Sequence, residues 1–171
     1  MIHLIAAIDL NNGLGYKNEL LCHLPNDLKR FKELTTGHFV VMGSNTYHSI
    51  GKPLPKRQNI VLTKKIKHDL PSDVYAYHSV EDILHEYENY AEKDIELWII
   101  GGQSTYEQFI DKADMIHLTI INNRFEHVDT FFPRISLDDW KPIETIRHWE
   151  DEQHPFDYSF VTYERRNVNK N

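Results

Sequence analysis

The segment Leu24–Pro25–Asn26–Asp27–Leu28–Lys29–Arg30–Phe31 puts one carboxylate at the edge of an apolar stripe. Leu24, Leu28, Phe31 and Leu34 recur at helical spacing. Pro25 suits a helix's first turn, where its missing N–H has no partner to lose. Asp27, four residues before Phe31 and seven before Leu34, borders the stripe. Two roles fit it. One is a first-turn acid that complements the helix dipole, worth ~0.3–1 kcal/mol. The other is a carboxylate facing an apolar pocket. There it can accept two hydrogen bonds from the amidine-like edge of a flat heterocycle, a ring N–H beside an exocyclic NH₂.

A second chemistry is written twice. Phe39–Val40–Val41–Met42–Gly43 runs into Ser44–Asn45–Thr46, and Leu97–Trp98–Ile99–Ile100–Gly101–Gly102 runs into Gln103–Ser104–Thr105. Each unit brings a helix start to the end of a buried strand. The first N–H groups of a helix have no internal partner, and the dipole favours an anion there. Glycine lets a phosphate or flat ring come close to the backbone. Such a turn also occurs in α/β proteins that bind nothing, but a pair can grip the two halves of a pyrophosphate. Arg57 precedes a strand and has the fork geometry to take a ligand carboxylate, or is a surface arginine. Lys64 and Lys65 follow the strand Ile60–Val61–Leu62–Thr63 at its carboxyl end, where ligands dock on α/β sheets. They suit a ribose 2′-phosphate, or are solvated turn lysines.

Other chemistries fail on spacing. Gly43 to Lys52 is too long for a P-loop, and Gly13–Leu14–Gly15 lacks the third glycine of a dinucleotide fingerprint. No two of the eleven histidines are three or four residues apart, and Cys22 is the only cysteine, so no metal site is expected. There is no Gly-x-Ser-x-Gly elbow. A formal net charge of −7, with Lys64, Lys65 and Lys67 the one notable basic cluster, argues against nucleic acid as a partner. A lone cysteine excludes an intrachain disulfide and points to the cytoplasm. The N-terminal apolar run reads as a first strand rather than a leader, and no stretch approaches a membrane span.

The elements that must position these residues follow from the apolar runs. Strands are expected near 2–9, 39–43, 58–63, 73–77, 95–100, 114–122, 141–149 and 156–165. Helices are expected near 25–35, 44–50, 80–91 and 103–111, with capping boxes at Ser79/Asp82 and Ser104/Glu107. Residues 10–24 show a turn cluster and no period, as either a functional lid or a plain surface connection would. The alternation predicts one α/β domain over residues 1–166 with a solvated tail at 167–171. Its core is a central, predominantly parallel, mixed eight-stranded sheet flanked by four helices. The last two strands break the alternation and can pair as a C-terminal hairpin, which predicts an antiparallel edge and an antiparallel C-terminal strand.

Taken as an ordered set, Ile5–Ala6–Ala7, Leu24–Pro25–Asn26–Asp27–Leu28, Val41–Met42–Gly43, Ser49–Ile50–Gly51–Lys52–Pro53–Leu54–Pro55–Lys56–Arg57, Ile100–Gly101–Gly102–Gln103, Tyr106–Glu107–Gln108–Phe109 and Asp129–Thr130–Phe131–Phe132–Pro133 resemble the bacterial dihydrofolate reductases nearly end to end. The resemblance implies NADPH-dependent reduction of 7,8-dihydrofolate to tetrahydrofolate by hydride transfer, in one-carbon metabolism. It also implies a cytoplasmic monomer that binds antifolate inhibitors. Asp27 would be catalytic, holding the pterin and assisting protonation of its imine nitrogen. Ile5, Ala6, Leu28, Phe31, Ile50 and Leu54 would line the substrate site, Arg57 would bind the glutamate tail, and Thr119 would support Asp27. The cofactor would lie on Ala7, Leu14, Gly15, Asn18, Leu20, Gly43, Ser44, Asn45, Thr46, Leu62, Thr63, Lys64, Ile100, Gly101, Gly102, Gln103, Ser104, Thr105 and Tyr106, with a cis peptide at Gly101–Gly102.

The chain departs from the family pattern in three places. Leu21–Cys22 stands where the family usually has proline and tryptophan. Ser44 replaces an arginine that commonly meets the cofactor, which leaves NADPH preference to Lys64, Lys65 and His78. Glu126–His127–Val128 lacks a glycine often found before Asp129. Two alternatives stay open at this point: a folate- or nucleotide-binding protein without activity, and a related pterin or pyrimidine reductase.

Overall fold

Short runs of Val, Ile, Leu and aromatic residues bounded by Gly, Pro and Asn build the sheet, because branched side chains pack well on a pleated surface buried on both faces. The computed structural model describes residues 1–65 and 70–167. In chain order the elements are β1 (Ile2–Ile8), β2 (Gly13–Tyr16), β3 (Glu19–Leu20), α1 (Pro25–Thr35), β4 (Phe39–Gly43), α2 (Ser44–Ile50), β5 (Gln58–Leu62) and β6 (Val74–Tyr77). They continue with α3 (Val80–Glu88), a 3₁₀ turn (Ala91–Lys93), β7 (Leu97–Gly101), α4 (Gln103–Phe109), β8 (Met115–Ile121), β9 (Thr130–Phe131), β10 (Trp140–His148) and β11 (Tyr158–Arg165).

The main sheet has eight strands in the order β10-β11-β8-β1-β7-β4-β5-β6. Every neighbouring pair from β8 to β6 is parallel, and β11 runs antiparallel to both β8 and β10. The expected antiparallel C-terminal strand is therefore present as β11. It lies inside the sheet, and its hairpin partner β10 takes the outer position. Strand alternation divides the core in two. Leu4, Ala6, Val41, Ile60, Ile99 and Leu118 pack with Ile83 and Phe109 from α3 and α4. Ile5, Val40, Met42, Val61 and Trp98 pack with Tyr47 of α2 and with Phe31 and Leu34 of α1.

Two expectations need correction. Residues 10–24 are not a bare loop: β2 pairs with β3 and β9 in a separate three-stranded sheet. The buried Asp9 carboxylate organises it, accepting from the N–H groups of Asn11 (2.9 Å), Gly13 (2.8 Å) and Phe125 (3.1 Å). At Gly15 an added Cβ would come 2.6 Å from the Glu19 carbonyl, so the tight β2–β3 turn needs a glycine there. Ser79 caps α3 as expected, accepting from Asp82 N–H at 3.1 Å. Ser104 is not the cap, because α4 starts two residues earlier than that would require, with Gly102 at its N-cap, and the Ser104 hydroxyl accepts from Gln108 instead. The expected tail, and Lys67, fall outside the described residues apart from Asn167.

A buried polar pair lies on the α1 face. His3 Nδ1 and His117 Nε2, from adjacent β1 and β8, are 2.9 Å apart. His3 also stacks on Trp98 at 4.1 Å and lies 3.0 Å from Glu96. Burial holds both imidazoles neutral. It pushes His117 down to about 3, with help from the neighbouring His3 and Arg30, and lowers His3 against the opposing pull of Glu96. Unfolded histidine takes a proton near 6.5, well before the folded His117 does. The native state is thus fully favoured above that pH and loses stability as pH falls toward the folded value. Unfolding in urea followed between about pH 7 and pH 4 should show falling stability. In a His3→Leu/His117→Leu variant the decline should flatten, and an unchanged decline would contradict the assignment.

Candidate active site

One cavity of about 1020 Å³ opens where the parallel strands end. That is at the upper end of ordinary small-molecule pockets, with room for a dinucleotide and a second flat ligand. β1 contributes Ile5, Ala6 and Ala7, and the small sheet contributes Leu14, Gly15, Asn18 and Leu20. α1 contributes Asp27, Leu28 and Phe31, beside Ile50 and Leu54. The strand–glycine–helix junctions contribute Gly43, Ser44, Asn45 and Thr46 on one side and Ile100 through Tyr106 on the other. The end of β5 adds Leu62, Thr63, Lys64 and Lys65, with His78 alongside.

Of the residues assigned from sequence to the substrate and cofactor sites, only Thr119 and Arg57 lie off this lining. Thr119, on β8 beneath α1, reaches the cavity through Asp27: its hydroxyl donates to Asp27 Oδ1 at 2.5 Å. Arg57 borders a second, shallower depression with His38, Lys56, Asp73 and Tyr75. Its Nε donates to Pro55 O (3.0 Å) and its Nη1 to Thr35 Oγ1 (3.1 Å), and its guanidinium sits 5.8 Å from the Phe31 ring centroid. Nη2 has no partner among the described residues. The arginine thus stands behind Phe31, at the apolar end of the cavity.

Asp27 sets a carboxylate among the apolar side chains at this end. Burial raises its pKa above the ordinary carboxylate value, and the Thr119 hydrogen bond and the Arg30 charge pull partly back. Arg30 is held away from the cavity, 4.4 Å over the Phe160 ring and 3.5 Å from Thr162 Oγ1. A carboxyl raised this way holds its proton to a higher pH than an ordinary carboxyl does.

The other end is built of backbone. β4 and β7 pair in parallel, with Met42 opposite Gly101, so the two glycine turns lie side by side. A Cβ on Gly43 would stand 3.0 Å from Thr105 Oγ1, and one on Gly102 would stand 3.4 Å from Thr46 Oγ1. Each helix start therefore packs against the glycine of the other unit. Neither α2 nor α4 has a side-chain cap, so their first N–H groups remain available to a ligand. Gly101–Gly102 is a cis peptide. Tyr106, fully buried, donates to Ile5 O at 2.7 Å and ties α4 to the middle of β1.

Sequence reasoning passed over Glu19, Ser49, Gln108 and Thr130, which also line the cavity. Gln108 carried a local signal, one helical turn beyond Ser104. Thr130 is placed by long-range pairing of β9 with β2, opposite Gly15. Ser49 donates to Asn18 O at 2.7 Å and fastens the small sheet to α2. Cys22 is off the cavity. It packs near Leu24, Ile121, Tyr158 and Phe160, and burial raises its pKa, which keeps it a thiol. Among the described residues no group of His, Cys, Asp and Glu could hold a metal, and no helix is long and apolar enough to cross a membrane.

The class so defined is an α/β protein with one long cleft, acid-bearing and apolar at one end and made of glycines and helix starts at the other. The family model described as dihydrofolate reductase matches residues 1–165. A Staphylococcus aureus dihydrofolate reductase is 39% identical over 160 residues, covering 94% of this chain and 95% of its own. The Bacillus subtilis dihydrofolate reductase is 37% identical over 170 residues, covering 99% and 98%. A solved dihydrofolate reductase from Enterococcus faecalis, complexed with NADP(H) and RAB-propyl, superposes with a TM-score of 0.89 at 35% identity, over 98% of this chain and 97% of that one. The chain belongs to the dihydrofolate reductase family.

Proposed function

We propose that this protein reduces 7,8-dihydrofolate to 5,6,7,8-tetrahydrofolate with NADPH, as a cytoplasmic monomer serving one-carbon metabolism. The observation that carries the reading is Asp27, a desolvated carboxyl at the apolar end of the same cavity that the paired glycine turns close.

The residues present fit the cofactor. Gly43 and Gly102 let the two helix starts pack close together, the starts of α2 and α4 are uncapped, and Lys64 and Lys65 stand at the end of β5. When bound, NADPH supplies the hydride. The backbone N–H groups of Ser44–Thr46 and Gln103–Thr105 would hold its pyrophosphate, and Lys64 and Lys65 a ribose 2′-phosphate.

Asp27 would accept the ring N–H and 2-amino group of the pterin and keep a proton in the site for the imine nitrogen. Ile5, Leu28, Phe31, Ile50 and Leu54 would exclude water from the ring, which strengthens every polar contact inside. Arg57 would take the carboxylate of the glutamate tail. No covalent step is needed, so placement and electrostatics supply the acceleration. A diaminopyrimidine antifolate presents the same amidine-like edge and would compete at Asp27.

The direct test follows the loss of reduced nicotinamide absorbance. It should depend on added dihydrofolate, and oxidation without it, or none with it, would overturn the reading. Replacing both Lys64 and Lys65 by Gln should raise the KM for NADPH about fivefold, the size of exposed ion pairs, and leave that for NADH unchanged. Equal effects on both cofactors would remove the 2′-phosphate role.

A further inference from the structure

Asp27 is two residues beyond Pro25, the first residue of a helix that lacks the usual cap. Leu24, at the N-cap of α1, offers no side-chain acceptor, and Pro25 has no N–H. The first free donor is the N–H of Asn26. It is met from the far end of the chain, by His154 Nε2 at 3.2 Å. His154 lies in the turn of the β10–β11 hairpin and is 1% exposed.

The protonation pattern of this imidazole is set by its other nitrogen. His154 Nδ1 lies 2.8 Å from Asp151 Oδ1, and the same oxygen accepts the N–H groups of Gln153 (2.9 Å) and His154 (2.8 Å). An acceptor-only carboxylate requires Nδ1 to carry the proton, which leaves Nε2 bare for Asn26. The hydrogen bond to His154 also lowers the pKa of Asp151, as expected for a carboxylate that stays ionised. The His154 ring stacks on Tyr158 at 5.0 Å, and Tyr158 OH accepts from Asn26 Nδ2 at 2.6 Å. Asn26 is therefore gripped twice by the hairpin, through its backbone and its side chain.

We propose that His154, held in its Nε2-accepting tautomer by Asp151, is a positioning residue for Asp27. The C-terminal hairpin would fix the height and tilt of the first turn of α1, as Thr119 fixes the carboxylate itself from β8. The proposal rests on Asp27 acting on the substrate. It adds that a side chain remote from the cavity lining sets how far that carboxylate is withdrawn from water.

Two variants test it. His154→Leu keeps apolar bulk and removes the acceptor. His154→Gln places a carbonyl oxygen at the reach of Nε2 while dropping the link to Asp151 and the stack on Tyr158. In the free protein, hydrogen exchange at Asn26 should speed up in His154→Leu and return close to the parent rate in His154→Gln. In single turnovers with NADPH and dihydrofolate, His154→Leu should slow hydride transfer about tenfold. It should also move the apparent pKa of the rate toward that of an ordinary carboxyl, with KM changing less than kcat. His154→Gln should restore both. Equal impairment of the two variants, or a parent-like pH profile in a folded His154→Leu, would overturn the proposal. If the parent protein itself fails to reduce dihydrofolate, the catalytic reading falls, while the exchange comparison still decides whether His154 holds α1.

Discussion

Asp27→Asn should make the protein more stable and nearly inactive. The carboxyl is buried with a raised pKa, so at neutral pH the folded state bears the cost of ionising it among Ile5, Leu28 and Phe31. The sign follows from proton binding: a group that holds its proton more tightly when folded favours the native state at low pH and loses that advantage as pH rises through the folded pKa. Asparagine keeps the shape, keeps an oxygen for the Thr119 hydroxyl and carries no charge. The melting temperature at pH 7.5 should rise by about 2–4 °C for each kcal/mol recovered, and the gain should vanish in acid. Transfer from NADPH to dihydrofolate should fall roughly 10²–10⁴-fold, the range for removing a positioned proton donor. The parent rate should decline as pH rises through the Asp27 transition. The variant should lose that inflection and depend on substrate protonated in solution. A variant with parent-like rates, or one less stable at neutral pH, would contradict the role.

Arg57→Leu should act on binding alone. Its Nε and Nη1 are anchored by Pro55 and Thr35, which pre-aims the unpartnered Nη2 edge before a ligand arrives. A charge-assisted bond of this kind contributes ~1.5–3 kcal/mol, so the KM for dihydrofolate should rise roughly 10–100-fold with kcat little changed. A pterin lacking the carboxylate tail should show no difference between parent and variant. Equal losses on both substrates would place Arg57 in the scaffold instead, as a brace between Thr35 and Phe31.

The two ends of the cavity were legible to different degrees. The glycine junctions could be read directly because strand, turn and helix are contiguous, so Gly43 and Gly101–Gly102 carry their own context. Asp27 was legible only as a residue on the border of an apolar stripe. What turns it from a dipole partner into a desolvated acid is burial, which seats it against Thr119, 92 residues away on β8, and such a partner leaves no local pattern. The small sheet was missed for a related reason. β3 and β9 are two residues each, too short to show a period, and Asp9 and Phe125 bring the segments together through backbone donors that no side-chain pattern encodes. The inner position of β11 was hidden as well: the alternation identified a hairpin, but not which strand would join β8. His154 was invisible as a cap, since its partner Asn26 lies 128 residues away in the chain.

The capping misread at Ser104 has a local cause. Ser-x-x-Glu is a sound signature where a chain enters a helix from a loop. Here the chain enters straight from β7 through two glycines, and Gly102 already occupies the N-cap. The uncapped start that results is the feature proposed to receive an anion.

The central claim is that one cavity brings a reduced nicotinamide directly against a pterin held by Asp27. A single turnover with NADPH deuterated at the transferable nicotinamide position tests it most directly. The deuterium should appear in the tetrahydrofolate product, one label per molecule, with transfer lost in Asp27→Asn at neutral pH. Label released to solvent, or transfer undiminished without the carboxylate, would contradict it.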